Sequence, residues 1–202
     1  MAVVISADEI KKTFSDYSPE KVEELHHRSA KLADKEFEAH IKNDPLHEVV
    51  LMNGGTASGK TEFLVTQLEG KSYLILDGTL PSPEGAKIKI KSILKANKRP
   101  IIYSVIPDDL GRAFTAFLHR ERKFSDSHFY RTHSGSRKTL LWVAENFPKV
   151  EVNLIESFYT ESQEMKFRKL EFSDKEEQME YLVKMQMSEA DIIEEVNKKL
   201  LG

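Results

Sequence analysis

The chain has no cysteine among its 202 residues. That excludes disulfides, cysteine nucleophiles and thiolate metal sites, and it fits a reducing interior. No apolar stretch approaches the ~20 residues of a membrane span. The N-terminus, Met1-Ala2-Val3-Val4-Ile5-Ser6-Ala7-Asp8, lacks the basic region and the longer apolar run of a signal peptide. The expected location is therefore cytoplasmic, with no membrane association. A net charge of −3 supplies no global attraction to polyanions, so a nucleic-acid partner is not expected either. Internal repeats and low-complexity linkers are also missing. The 40% hydrophobic content is enough for a full core, and we expect a single domain over residues 1–202.

What the chain does have is Gly54-Gly55-Thr56-Ala57-Ser58-Gly59-Lys60-Thr61, which fits the phosphate-loop pattern G-x-x-x-x-G-K-[ST]. Glycines let the backbone curl so that successive N–H groups converge on phosphate oxygens, and the following helix turns its positive end to the same anion. Lys60 would reach the β- and γ-phosphates, and the Thr61 hydroxyl would ligate Mg²⁺. The context agrees with the pattern. Val49-Val50-Leu51-Met52 reads as a strand buried on both faces, and Phe63, Leu64, Gln67 and Leu68 keep helical spacing up to Gly70.

Around that loop the chain divides into an N-terminal helical segment (1–47), a nucleotide-binding core (48–158) and a mainly helical tail (159–202). The first helix opens at Ser18-Pro19 and runs to Asn43-Asp44-Pro45, with Val22, Leu25, Ser29, Leu32, Ala33, Phe37 and Ile41 as its apolar stripe. Further strands are expected at Tyr73 to Leu76, Ile101 to Val105 and Val150 to Ile155. Helices should occupy Pro83 to Asn97, Asp108 to Lys123 and Thr139 to Asn146. The second is read with Leu110, Ala113, Phe114, Phe117 and Leu118 against the sheet. In the tail, Ser173 to Glu176 and Ser188 to Asp191 each resemble a capping box, which implies two helices with a bend near Met187. Alternating strands and helices predict an α/β, P-loop kinase-like fold of three layers, with a parallel central sheet and added N- and C-terminal helices.

Ligands of open parallel sheets sit at the carboxyl ends of the strands. Asp77 ends the Tyr73 to Leu76 run beside the phosphate loop, where a carboxylate could accept a proton from a hydroxyl or hold Mg²⁺ through water. The Asp77-Gly78 pair is also a common turn. Asp108 and Asp109 follow the third strand but suit helix capping, and Glu156 and Ser157 follow the fourth. Phosphoryl transfer needs cations over the moving group, and residues 119–138, with arginines among Ser, Gly and His, read as a lid between two helices. His133 reads as a hydrogen-bonding residue of that lid. Lys87, Lys89, Lys91 and Lys95 spread around a helix and read as a solvated face.

The order of these parts resembles the zeta-toxin family of P-loop kinases over roughly Ser18 to Phe158. The resemblance implies an ATP-dependent kinase, with ATP and Mg²⁺, that phosphorylates a hydroxyl of a small acceptor such as UDP-N-acetylglucosamine and is held by an antitoxin-like protein partner. It makes Lys60 and Thr61 the phosphate-loop pair, Asp77 the proton acceptor, and Arg131 and Arg137 the lid arginines. Family members commonly follow the catalytic Asp with a second acidic residue, an arginine and a His-Pro pair; here Asp77 precedes Gly78-Thr79-Leu80-Pro81. Two other functions fit the same loop: an ATPase or ATP-dependent switch acting through a protein partner, and a polynucleotide or nucleoside kinase.

Overall fold

The computed structural model describes residues 2–121 and 123–201. Its centre is a six-stranded sheet made of β1 (Val3–Ser6), β2 (Glu48–Asn53), β3 (Tyr73–Asp77), β4 (Arg99–Pro107), β5 (Glu151–Tyr159) and β6 (Met165–Lys169). The strand order is β1-β3-β2-β4-β5-β6, parallel throughout except for the antiparallel β5–β6 pair. All four expected strands are present.

Helices cover both faces because the strands are apolar on both. On one face Leu51, Leu74, Ile102 and Leu154 meet Phe37 and Ile41 of α2 (Val22–Asn43), Ile90 and Ile93 of α4 (Pro83–Lys95) and Leu140 of α6 (Asp126–Asn146). On the other, Val50, Met52, Ile75 and Val105 meet Phe63, Leu64 and Leu68, in the short α3 (Lys60–Phe63) and its π-helical continuation Leu64–Leu68. The expected stripe of α2 is buried except for Leu32, which is 40% exposed. Ser82 caps α4 by accepting from the Gly85 N–H, so its lysine-isoleucine alternation is helical.

Four expectations need correction. The N-terminal segment is not wholly helical: Val3–Ser6 pairs with β3, and α1 (Ala7–Lys12) follows directly. A run this short gains strand character from its neighbour rather than from its own sequence. The tail likewise contains β6, where Met165 and Phe167 alternate with Lys166 and Arg168. Third, α5 (Leu110–Leu118) turns Leu110, Ala113, Phe114 and Phe117 toward Phe129 of α6 and Ile192 and Val196 of α8 (Glu189–Leu201), not toward the sheet, and Leu118 is largely exposed. Finally, residues 126–146 are one helix, so the expected lid shrinks to the connection after α5; Arg122 within it lies outside the described residues, as do Met1 and Gly202. Phe129, Thr132, His133, Ser136 and Leu140 give that helix a buried stripe, but its polar members hide the apolar periodicity.

The second capping box of the tail forms as expected, with the Asp191 N–H donating to Ser188 Oγ and the Ser188 N–H to Asp191 Oδ2. The first is shifted by one residue. Asp174 caps α7 (Lys175–Lys184), and the Ser173 N–H and hydroxyl both donate to Glu177.

Candidate active site

Strand β2 delivers the chain into a tight loop, and α3 begins at Lys60. Gly59 turns that corner with φ of 89°, a left-handed conformation that costs a side chain dearly. Three supports fix the loop. Ser157 at the end of β5 donates its hydroxyl to Ser58 O at 2.8 Å. On β2 itself, the buried Asn53 donates to Ser136 O at 3.2 Å and accepts from Ser104 Oγ at 2.7 Å. Helix α6 supplies the third support.

The imidazole of His133 lies flat behind the loop and donates from Nε2 to Thr56 O at 2.9 Å. The Thr56 N–H in turn donates to Thr132 Oγ1 at 3.1 Å. A Cβ at Gly55 would stand 2.2 Å from the His133 ring, so only glycine lets the ring approach this closely. Burial, with the neighbouring Arg137 charge, holds the His133 imidazole well below its usual range, and it stays neutral.

The Lys60 ammonium is 8% exposed and donates to Gly54 O at 3.0 Å and Gly55 O at 2.6 Å. Burial lowers its pKa to about 8, against the opposing pull of the Asp77 carboxylate. Beside it, the Thr61 hydroxyl donates to Asp77 Oδ2 at 3.4 Å. Register places Asp77 opposite Ser6 of β1, at the end of the sheet where the loop opens. A cavity over the loop is walled by Asp8, His26, Lys60, Asp77, Arg120 and His128 among others. The site therefore gathers a buried ammonium, a hydroxyl beside a carboxylate, and an arginine in the wall of the same cavity. A polyphosphate with Mg²⁺ fits that donor set: the ammonium suits phosphate oxygens, and the hydroxyl and carboxylate suit a hard cation. No group of three or more His, Asp or Glu among the described residues is arranged to hold a metal by itself.

No known protein family matches the chain, and no curated protein sequence does. Its likeness is structural. A chain in the crystal structure of the AvrRxo1-ORF1:AvrRxo1-ORF2 complex with sulphate ions superposes with a TM-score of 0.52. The match covers 87% of this chain and 75% of that one at 12% identity, which speaks for a shared fold.

Of the residues singled out by sequence, Lys60, Thr61 and Asp77 come together at the end of β2 and β3. Arg131 and Arg137 do not join them. Arg131 is exposed on α6, with Nη2 3.5 Å from His128 Nδ1. Arg137 is buried, donates to His133 O at 3.1 Å, and is lowered by that burial to about 10. Asp109 caps α5 through the Arg112 N–H, and Glu156 pairs with Arg168. Lys87 and Lys89 pair with Glu84 and Asp34. Sequence reasoning did not place Asp8 or His26 in the site, and held Arg120 and His128 only as members of the 119–138 lid. Asp8 lies in α1 and His26 in α2, helices too generic to mark them, whereas Arg120 differs from the other arginines of the expected lid only by position.

Proposed function

We propose that the protein is a Mg²⁺-ATP-dependent phosphotransferase that moves the γ-phosphoryl group to a hydroxyl of a small acceptor. The observation that carries this reading is the pairing of a buried Lys60 on a glycine-turned loop with the Thr61–Asp77 contact on the neighbouring strand. ATP supplies the phosphoryl group and Mg²⁺ the charge that draws its oxygens together. Lys60 would exchange its contacts with Gly54 O and Gly55 O for phosphate oxygens, Thr61 would hold the cation, and Arg120 would face the moving group. Asp77 accepts the acceptor's hydroxyl proton as the new O–P bond forms and the bond to the ADP oxygen breaks.

The AvrRxo1-ORF1 structure is a complex of two proteins, and a protein partner of antitoxin type belongs to this proposal. No helix among the described residues is long and apolar enough to cross a membrane. A polynucleotide acceptor is disfavoured by the ion pairs of Lys87 and Lys89.

The test is incubation with ATP, Mg²⁺ and a metabolite extract, read by mass for compounds that gain one phosphoryl group. Asp77→Asn should keep ATP binding and lower transfer by ~10²- to 10⁴-fold. ADP release with no phosphorylated product would replace the kinase with an ATPase or switch, and full activity of Asp77→Asn would make Asp77 a turn residue.

A further inference from the structure

A second cavity opens on the far side of Asp77, between α2, α4 and the ends of β2 and β3. It shares Ala7, His26, Asp77, Gly78 and Thr79 with the phosphate-loop cavity, so the two are continuous around the Asp77 carboxylate. Its floor is apolar, formed by Met52, Leu76 and Leu80, all buried. The Thr79 to Pro81 stretch along its edge is fixed: Asn53 Nδ2 donates to Leu80 O at 3.4 Å, the Gly54 N–H to Thr79 O at 3.3 Å, and a Cβ on Gly135 would stand 2.4 Å from Pro81 O. The rim carries Lys89, whose ammonium is 2.8 Å from the Asp34 carboxylate.

The charge of this cavity is what selects its occupant. Among the described residues lining it, Lys89 carries the single ammonium, and the Asp34 carboxylate already engages it. A phosphate- or diphosphate-bearing molecule needs unspent cations or a fork of donors. We propose that this cavity is the acceptor site and that the acceptor is an uncharged, partly apolar hydroxyl compound, such as a nucleoside or a sugar without phosphate. The proposal rests on the kinase reading and narrows it away from nucleotide sugars. The acceptor's apolar body lies over Met52 and Leu80, and its hydroxyl meets Asp77.

Matched pairs test it: a nucleoside against its 5′-phosphate and a hexose against its phosphate ester, each with saturating Mg²⁺-ATP, read as kcat/KM for phosphoryl gain. The uncharged member of a pair should be favoured by ~10-fold or more, since like charges at a site are strongly disfavoured. Asp34→Asn, which releases Lys89, should narrow that preference by lowering KM for the phosphate ester. Ala30→Trp, which fills the cavity from α2, should raise KM for the uncharged acceptor while the Kd of ATP holds. Preference for the phosphorylated member, or an unchanged acceptor KM in Ala30→Trp, overturns the assignment while leaving the kinase intact. ATP binding without transfer to any compound overturns the kinase reading itself, and the acceptor site with it.

Discussion

The loop between β2 and α3 and the segment of α6 behind it are both polar, both contain glycine and both sit at the same end of the sheet. They differ in what their polar groups face. In the loop, Lys60 and Thr61 turn toward an open cavity and are held by the loop's own carbonyls, by Ser58 Oγ and by Asp77. In α6, Thr132, His133 and Arg137 are buried and spend their hydrogen bonds on protein, at Thr56 and at the helix's own carbonyls. Polar side chains thus line a cavity in one setting and brace the loop in the other, and since Lys60 and Arg137 are both buried, what separates them is whether the group borders the cavity.

The largest expected effect sharpens that division. Arg120 lines the cavity, Arg131 is on the surface and Arg137 supports His133. Arg120→Ala should therefore lower single-turnover transfer at saturating ATP, by as much as the ~10³-fold that such an arginine can supply. Arg131→Ala should leave the rate within about a factor of two, far below that arginine effect. If Arg131→Ala proves the slow variant, α6 moves during the reaction and the division fails.

Next comes the contact between the two regions. Gly55→Ala drives a methyl group into the His133 ring and should destabilise the fold by ~2 kcal/mol or more. His133→Ala alone leaves Thr56 O without its donor and opens a cavity, for a loss of ~2 to 4 kcal/mol. The double variant should lose less than the sum, because the second change removes the clash of the first. Chemical denaturation of all four proteins gives the coupling, and strict additivity would mean that the ring is not what requires glycine.

The smallest effect is on pH dependence. Lys60 titrates near 8 in the folded chain against 10.5 in its ordinary state. The unfolded chain holds more protons between those values, so this residue's contribution makes the protein more stable as pH rises from about 8 to 10.5. Affinity for ATP has the opposite sign: it should fall as pH rises through about 8, where the ammonium is lost. A flat affinity from pH 7 to 9 would show that Lys60 is charged throughout.

Much of this was legible in sequence where the signal is local. A strand, a glycine pattern and a helix within about twenty residues announce the loop, since its shape is set by consecutive backbone groups. Asp77 was found the same way, as the residue ending a buried run. What could not be read were contacts between distant segments. Val3–Ser6 is a strand because β3 offers it an edge. Met165–Lys169 did carry a two-residue alternation, but five residues amid acidic helical sequence are outweighed by their surroundings. The stretch expected as a lid hides its helix because Thr132, His133 and Ser136 sit at helical spacing with polar side chains. Their burial follows from polar partners in the loop, which no hydropathy pattern records.

In the proposed function, the loop between β2 and α3 binds nucleotide phosphates through Lys60. Calorimetric titration of Mg²⁺-ATP into the parent protein and into Lys60→Ala, with unfolding curves for both, tests it most directly. We expect saturable one-to-one binding in the parent and its loss in a Lys60→Ala protein that remains folded, since removing a buried ammonium relieves its desolvation. Equal ATP affinity in the two folded proteins would contradict it.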